Sequence, residues 1–182
     1  MRSVVIYESM YGNTHHIADA IAEGLRESGD AVVVPVHDAT SDVLAGADLV
    51  VVGGPTHVHG MSRPSTRTSA ADVLDQPDHN PDLVLDPDAA GPGIREWLQG
   101  LASMTTKAAA FDTRVDVAAV LSGRASKGIA KGLRHHGFDL VVPAESFLVT
   151  KETQLEPGED DRARTWGRHL ASLVAPSAVS PG

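Results

Sequence analysis

Apolar and polar positions change period repeatedly along the chain. Residues 3–7 (Ser-Val-Val-Ile-Tyr) form a short β-branched run, after which Ile17, Ile21 and Leu25, with Ala18 and Ala22, recur at helical spacing until Gly29. Residues 31–36 read as a second strand, and residues 48–52 as a third, closed by Gly53-Gly54-Pro55. Ile94, Trp97, Leu98 and Leu101 mark a helix entered through Gly91-Pro92-Gly93, and residues 107–111 a fourth strand. Ala125, Ile129 and Leu133 predict a helix that ends at Gly137 after a basic last turn. A fifth strand covers 140–142, with a continuation to 149 left open. Ala163, Trp166, Leu170 and Leu173 form the last helical stripe, and 176–182 reads as a frayed, disordered tail.

Strands buried on both faces show continuous apolar runs, as residues 49–52 and 107–111 do. Five such strands interleaved with helices predict an α/β doubly wound parallel sheet with helices on both faces, a single domain over about residues 1–175. Ligands of that architecture sit outside the carboxyl ends of the strands. The segments to inspect are therefore 8–14, 53–61 and 112–123.

Composition narrows the chemistry. The 182 residues include no cysteine, which excludes disulfides, cysteine-held zinc or iron–sulfur centres and a cysteine nucleophile. Seven aromatic residues must serve any site that needs a ring: Tyr7, Tyr11, Trp97, Phe111, Phe138, Phe147 and Trp166. Net charge is −9, and it is uneven: residues 1–91 carry 4 basic and 14 acidic side chains, residues 92–182 carry 11 and 10. An acidic chain repels nucleic acid and anionic lipid, so neither is an expected partner. No run approaches the length of a membrane span, and the apolar stretch at the N-terminus is too short for a signal peptide. The expectation is a soluble cytoplasmic protein.

Residues 9–14, Ser9-Met10-Tyr11-Gly12-Asn13-Thr14, lie between the first strand and a helix N-terminus, where orphan backbone N–H groups and the helix dipole favour an anion. Ser9, Asn13 and Thr14 supply hydroxyl and amide groups, and Gly12 allows close backbone approach. The loop holds no Lys or Arg, which suits a terminal monophosphate better than a metal-bound triphosphate. Neither the Gly-x4-Gly-Lys-Ser/Thr loop nor the Gly-x-Gly-x-x-Gly fingerprint is present. A hydrolase lacks support because Gly-x-Ser-x-Gly is absent, and a phosphoacceptor domain because Gly53-Gly54-Pro55 follows strand three where an Asp is needed.

The 9–14 loop resembles the phosphate loop of the flavodoxin family, especially its quinone-reductase-like branch. Residues 53–61, Gly53-Gly54-Pro55-Thr56-His57-Val58-His59-Gly60-Met61, are similar to that branch's second flavin loop, and Phe111-Asp112-Thr113-Arg114 stands where a third would begin. The resemblance covers about residues 3–175. It implies a five-stranded flavodoxin-like sheet of order 2-1-3-4-5 that binds FMN noncovalently. Ser9, Met10, Tyr11, Gly12, Asn13 and Thr14 would then surround the ribityl phosphate. Pro55, Thr56, His57, Val58, His59 and Gly60 would line one side of the isoalloxazine, and Asp112, Thr113 and Arg114 would approach its other edge. Electron-carrier flavodoxins sandwich the ring between aromatics, whereas neither corresponding loop here contains one beyond Phe111. A more accessible flavin follows, open to a second planar molecule such as a quinone. The resemblance thus implies a redox protein that works through FMN, serving a partner protein or a small quinone or nicotinamide substrate. The alternatives are an NAD(P)H-dependent quinone or flavin reductase and a flavin-free binding module.

Residues 61–91 form an unusually long acidic connection, with six Asp and no Lys or Arg between 72 and 88. It reads as a solvated loop, with a flap over the flavin as the alternative and Arg63 and Arg67 near its base. His57 and His59 share a face of an extended segment, but no neighbouring carboxylate completes a metal set.

Overall fold

The computed structural model describes residues 1–57, 60–72, 74, 83–87, 89, 91–118 and 122–174. The tail at 176–182 lies outside them. Elements follow in the order β1 (Arg2–Tyr7), α1 (Asn13–Arg26), β2 (Asp30–Pro35), α2 (Ser41–Leu44), β3 (Leu49–His57), β4 (Gly60–Met61), α3 (Pro64–Asp72), α4 (Ile94–Gly100), β5 (Lys107–Val115), α5 (Ala125–His135), β6 (Asp139–Leu140), β7 (Glu145–Val149) and α6 (Glu159–Val174). The strands join one sheet in the order β2-β1-β3-β5-β6, with β7 also on β5 and β4 folded back antiparallel on β3. All other pairings are parallel. With β6 and β7 taken as the two halves of the fifth strand, this is the doubly wound order 2-1-3-4-5.

Alternate residues of each central strand enter opposite cores. Val5, Tyr7, Val51, Ala109 and Phe111 pack with Ile17, Ile21 and Leu25 of α1 and Leu170 of α6. Val4, Ile6, Val50, Val52, Ala108 and Ala110 pack with Ile94 and Leu98 of α4 and Ile129 and Leu133 of α5. Both faces are therefore covered, which is why the central strands show no polar alternation. Each buried Ile or Leu contributes roughly 1.5–3 kcal/mol to that packing.

Three boundaries differ from the sequence expectation. First, β3 and β5 run on to His57 and Val115, so that Gly53, Gly54 and Pro55 pair with Phe111, Asp112 and Thr113 inside the sheet. Gly53 is there because the ring of Phe111 lies against it, where any Cβ would collide. Second, the fifth strand is broken at 141–144 around Pro143, which has no N–H for the ladder. Across the break the register advances two residues, from Ala108 opposite Leu140 to Phe111 opposite Glu145, and an even step keeps side chains on their faces. Third, the long connection contains α3. Its Ser-Thr-rich sequence has no apolar stripe, and Pro64 starts it in the one helical position that suits proline. Its ties are polar: Arg67 reaches Ser62 Oγ at 2.9 Å and Glu96 at 3.0 Å, and the Tyr11 hydroxyl donates to the Ala70 carbonyl at 2.6 Å. Farther along the connection, the Asp86 N–H donates to the Met10 carbonyl at 2.8 Å. Among the described residues, no helix is long and apolar enough to cross a membrane.

Gly53→Ala is expected to lower the unfolding free energy by about 1–3 kcal/mol through overpacking against Phe111. The urea midpoint measures it, and adding Phe111→Leu to Gly53→Ala should recover part of the loss.

Candidate functional site: a cleft at the carboxyl ends of the strands

The ends of β1, β3, β5 and β7 surround one cleft of about 160 Å³. After β1 the chain turns tightly because the Gly12 N–H donates to Ser9 Oγ at 3.0 Å, and Gly12 then adopts φ +85 to enter α1. That left-handed conformation is one an L side chain resists, which accounts for glycine here. No side chain caps α1, and its first turn holds no acid. The N–H groups of that turn and the positive end of the dipole therefore stand uncompensated by side chains at the cleft.

Polar side chains of the 9–14 loop are turned to architecture. Asn13 Nδ2 donates to the Thr153 carbonyl at 2.8 Å, while Thr14 Oγ1 and Thr113 Oγ1 are buried together at 2.7 Å. With Ser9 holding Gly12 and Tyr11 holding α3, the loop presents chiefly backbone donors. Burial raises the Tyr11 phenol above its ordinary pKa, so it remains a neutral donor to Ala70.

The cleft collects ten of the expected site residues: Ser9, Met10, Tyr11, Asn13 and Thr14 on one side, Pro55, Thr56 and His57 from β3, Thr113 and Arg114 from β5. Gly12 borders a neighbouring hollow with His16 and Asp160, and Gly60 borders a second cavity that also touches His57. Val58 and His59 lie outside the described residues. Asp112 does not line the cleft. It is fully buried beneath it, where one carboxylate oxygen accepts from the Ser126 N–H at 2.8 Å and the Thr56 hydroxyl at 3.2 Å. Thr56 Oγ1 in turn accepts from the Ala125 N–H at 2.9 Å, so the two side chains together cap α5.

Sequence reasoning missed Val115, Val149 and Thr153, which complete the lining. The segment after the fifth strand reaches the same carboxyl edge and belonged among those inspected. It also missed the role of Glu8, buried below the loop, whose carboxylate accepts from the Ile94 N–H at 2.8 Å at the start of α4.

Two buried nitrogens of lining side chains, His57 Nε2 and Arg114 Nε, have no hydrogen-bond partner among the described residues. Arg114 directs Nη1 to the Val117 carbonyl at 2.7 Å. Such orphans are costly in a closed protein and point to a polar ligand. A larger hollow of about 320 Å³ beside α3 touches Met10 and Arg67, but that guanidinium is already held by Ser62 and Glu96.

A family model described as a flavodoxin domain matches residues 4–67. Flavodoxin 1 of Bacillus cereus superposes with a TM-score of 0.65 at 18% identity, over 96% of this chain and 100% of that one. A WrbA-like flavodoxin of Agrobacterium tumefaciens superposes with a TM-score of 0.59 at 22% identity, over 95% and 96% of the two chains. The fold is flavodoxin-like. A curated relative, an NAD(P)H dehydrogenase (quinone) of Geobacter sulfurreducens, is 33% identical over an 87-position alignment that takes in 34% of this chain. The match spans 43% of that relative's length.

With the exception of Tyr11, the aromatic rings are placed away from the cleft. Tyr7 stacks on His15 at 4.2 Å, Phe111, Phe147 and Trp166 meet edge to face, and Trp97 donates to the Ala39 carbonyl at 2.8 Å. Tyr11 alone among the described aromatic residues lines the cleft.

Burial holds the His57 imidazole below its ordinary pKa of 6.5; Glu8 opposes that shift and Arg67 adds to it. The unfolded chain therefore takes up this proton first as pH falls. The stability gained by keeping His57 neutral is whole above pH 6.5 and is lost as pH falls from there toward the depressed folded value. His57→Gln should accordingly show a shallower fall of Tm than the parent protein below pH 6.5, measured by thermal melts across a pH series.

Proposed function

We propose that this chain binds FMN noncovalently and passes electrons through it. The observation that carries the reading is the convergence, in one cleft, of an uncapped helix N-terminus with the orphaned nitrogens His57 Nε2 and Arg114 Nε. The phosphate is held by first-turn N–H groups of α1, with the helix end supplying roughly +0.5 of a charge and no Lys or Arg in the loop. Pro55, Thr56 and His57 form one wall for the ring and Thr113 and Arg114 the other. Arg114 would present its guanidinium to the ring's polar edge. His57, neutral at pH 7, offers Nε2 to hold or release a proton there. FMN itself supplies the redox chemistry when bound.

A second reading, an NAD(P)H-dependent reductase of quinones or free flavins, is favoured by the named activity of the Geobacter relative and by the absence of an aromatic cover over the cleft. A flavin face left open admits a planar acceptor. In either case the redox partner is a protein or a small quinone.

Titration followed by quenching of flavin fluorescence tests the cofactor directly, and a protein that binds no FMN would sink the proposal. Asn13→Asp places a carboxylate in the first turn of α1, where the helix tolerates it and the phosphate does not. Its Kd for FMN should rise tenfold or more, about 1.4 kcal/mol. Oxidation of NADPH in the presence of a benzoquinone, by the FMN-loaded protein, separates reductase from carrier.

A further inference from the structure

His57 lines two cavities. One is the cleft described above; the other, of about 330 Å³, opens between the β4 turn, the start of α3 and α4, and is bounded by Arg63, Ser65, Thr66 and Arg95 as well as His57. Among the described residues, no acidic side chain lines it. Arg95 is fixed in place by the backbone, with Nε donating to the Ser62 carbonyl and Nη2 to the Met61 carbonyl, both at 3.0 Å. Those bonds orient the guanidinium and leave Nη1 without a protein partner among the described residues. The Arg63 side chain has no hydrogen bond or ion pair among the described residues. Arg67, one turn of α3 away, shows the contrast: it pairs with Glu96 at 3.0 Å. Thr66 Oγ1 is already engaged by the Arg63 backbone at 2.9 Å, so the free hydroxyl is that of Ser65.

Charge sharpens the case. The chain is acidic overall, and only four basic side chains occur in its first 91 residues, Arg63 among them. Two guanidiniums with no ion pair among the described residues, at one cavity, create a positive spot on a negative molecule, which both attracts an anion and orients it on approach. Guanidinium groups with a hydroxyl beside them match the planar, multidentate demand of an oxyanion.

We propose that this cavity binds the oxyanion, phosphate or carboxylate, of the redox substrate that meets the flavin, at a position separate from the phosphate loop at α1. The placement beside the flavin rests on the function proposed above. His57, common to both cavities, is the side chain that the bound substrate and the flavin would share. Arg63 and Arg95 thus set specificity: anionic quinones or phosphate-bearing donors are preferred over neutral ones of the same size.

Calorimetric titration of the full chain, alone and saturated with FMN, tests this. Inorganic pyrophosphate is the phosphate probe and citrate the carboxylate probe in a separate arm, and the tighter of the two names the source of the oxyanion. One anion site should persist in the FMN-saturated protein. Arg63→Gln should weaken it tenfold or more, Arg63→Lys should retain most of the affinity, and FMN affinity should be unchanged in both. Anion binding that FMN abolishes, or that Arg63→Gln leaves as it was, would overturn the proposal, as would the absence of binding by either probe. Arg63-dependent anion binding by a protein that takes up no FMN would uphold the anion site and defeat the flavin reading instead.

Discussion

The buried carboxylate of Asp112 holds together the elements on which the site depends. A carboxyl group with no solvent exposure must be met by hydrogen-bond partners, and here they come from two places, the Ser126 N–H of α5 and the Thr56 hydroxyl of β3. Asp112 itself stands on β5, in register with Gly54. Three elements are thereby tied by one side chain beneath the cleft. The residues next along each strand, His57 on β3 and Thr113 and Arg114 on β5, form its walls. Removing the carboxylate would orphan the start of α5 and release both walls at once.

Glu8 plays the corresponding part on the other side of β3, receiving the first N–H of α4. Each carboxylate also keeps one oxygen without a partner among the described residues, Glu8 Oε1 and Asp112 Oδ1. The 9–14 loop presents chiefly backbone N–H groups, because its side chains are occupied in tying α1 to β5, to α3 and to the segment around Thr153.

Scarcity of aromatic residues has a structural counterpart. Phe111, Phe147 and Trp166 are taken up in one edge-to-face cluster on the α1 and α6 side of the sheet. The ring of Phe111 can lie across the sheet only because Gly53 stands opposite it. What borders the cleft instead is His57, with the cationic cavity of Arg63 and Arg95 beyond it. The cleft is thus bordered by few rings and adjoined on one side by two guanidiniums.

Much of this was legible along the chain. Periodicity is a local property, and the runs at 3–7 and 107–111 and the stripe Ile17-Ile21-Leu25 determine strands, helices and a doubly wound sheet without reference to anything distant. The 9–14 loop likewise places a tight turn and a helix start directly after the first strand, since a small polar loop with Gly12 suits that junction wherever it occurs. The roles of individual side chains were decided by tertiary structure. Gly53-Gly54-Pro55 reads locally as a turn, but β5 pairs with all three residues and β1 with Gly53, which keeps the segment in the sheet. Asp112 reads as a ligand contact until the arrival of α5 turns its carboxylate inward. Neither the contribution of Thr153 to the cleft nor the pairing of Arg63 with Arg95 has any signature in spacing. Those residues meet because strands and helices far apart in sequence end at one edge, and only the packed fold brings their side chains within reach.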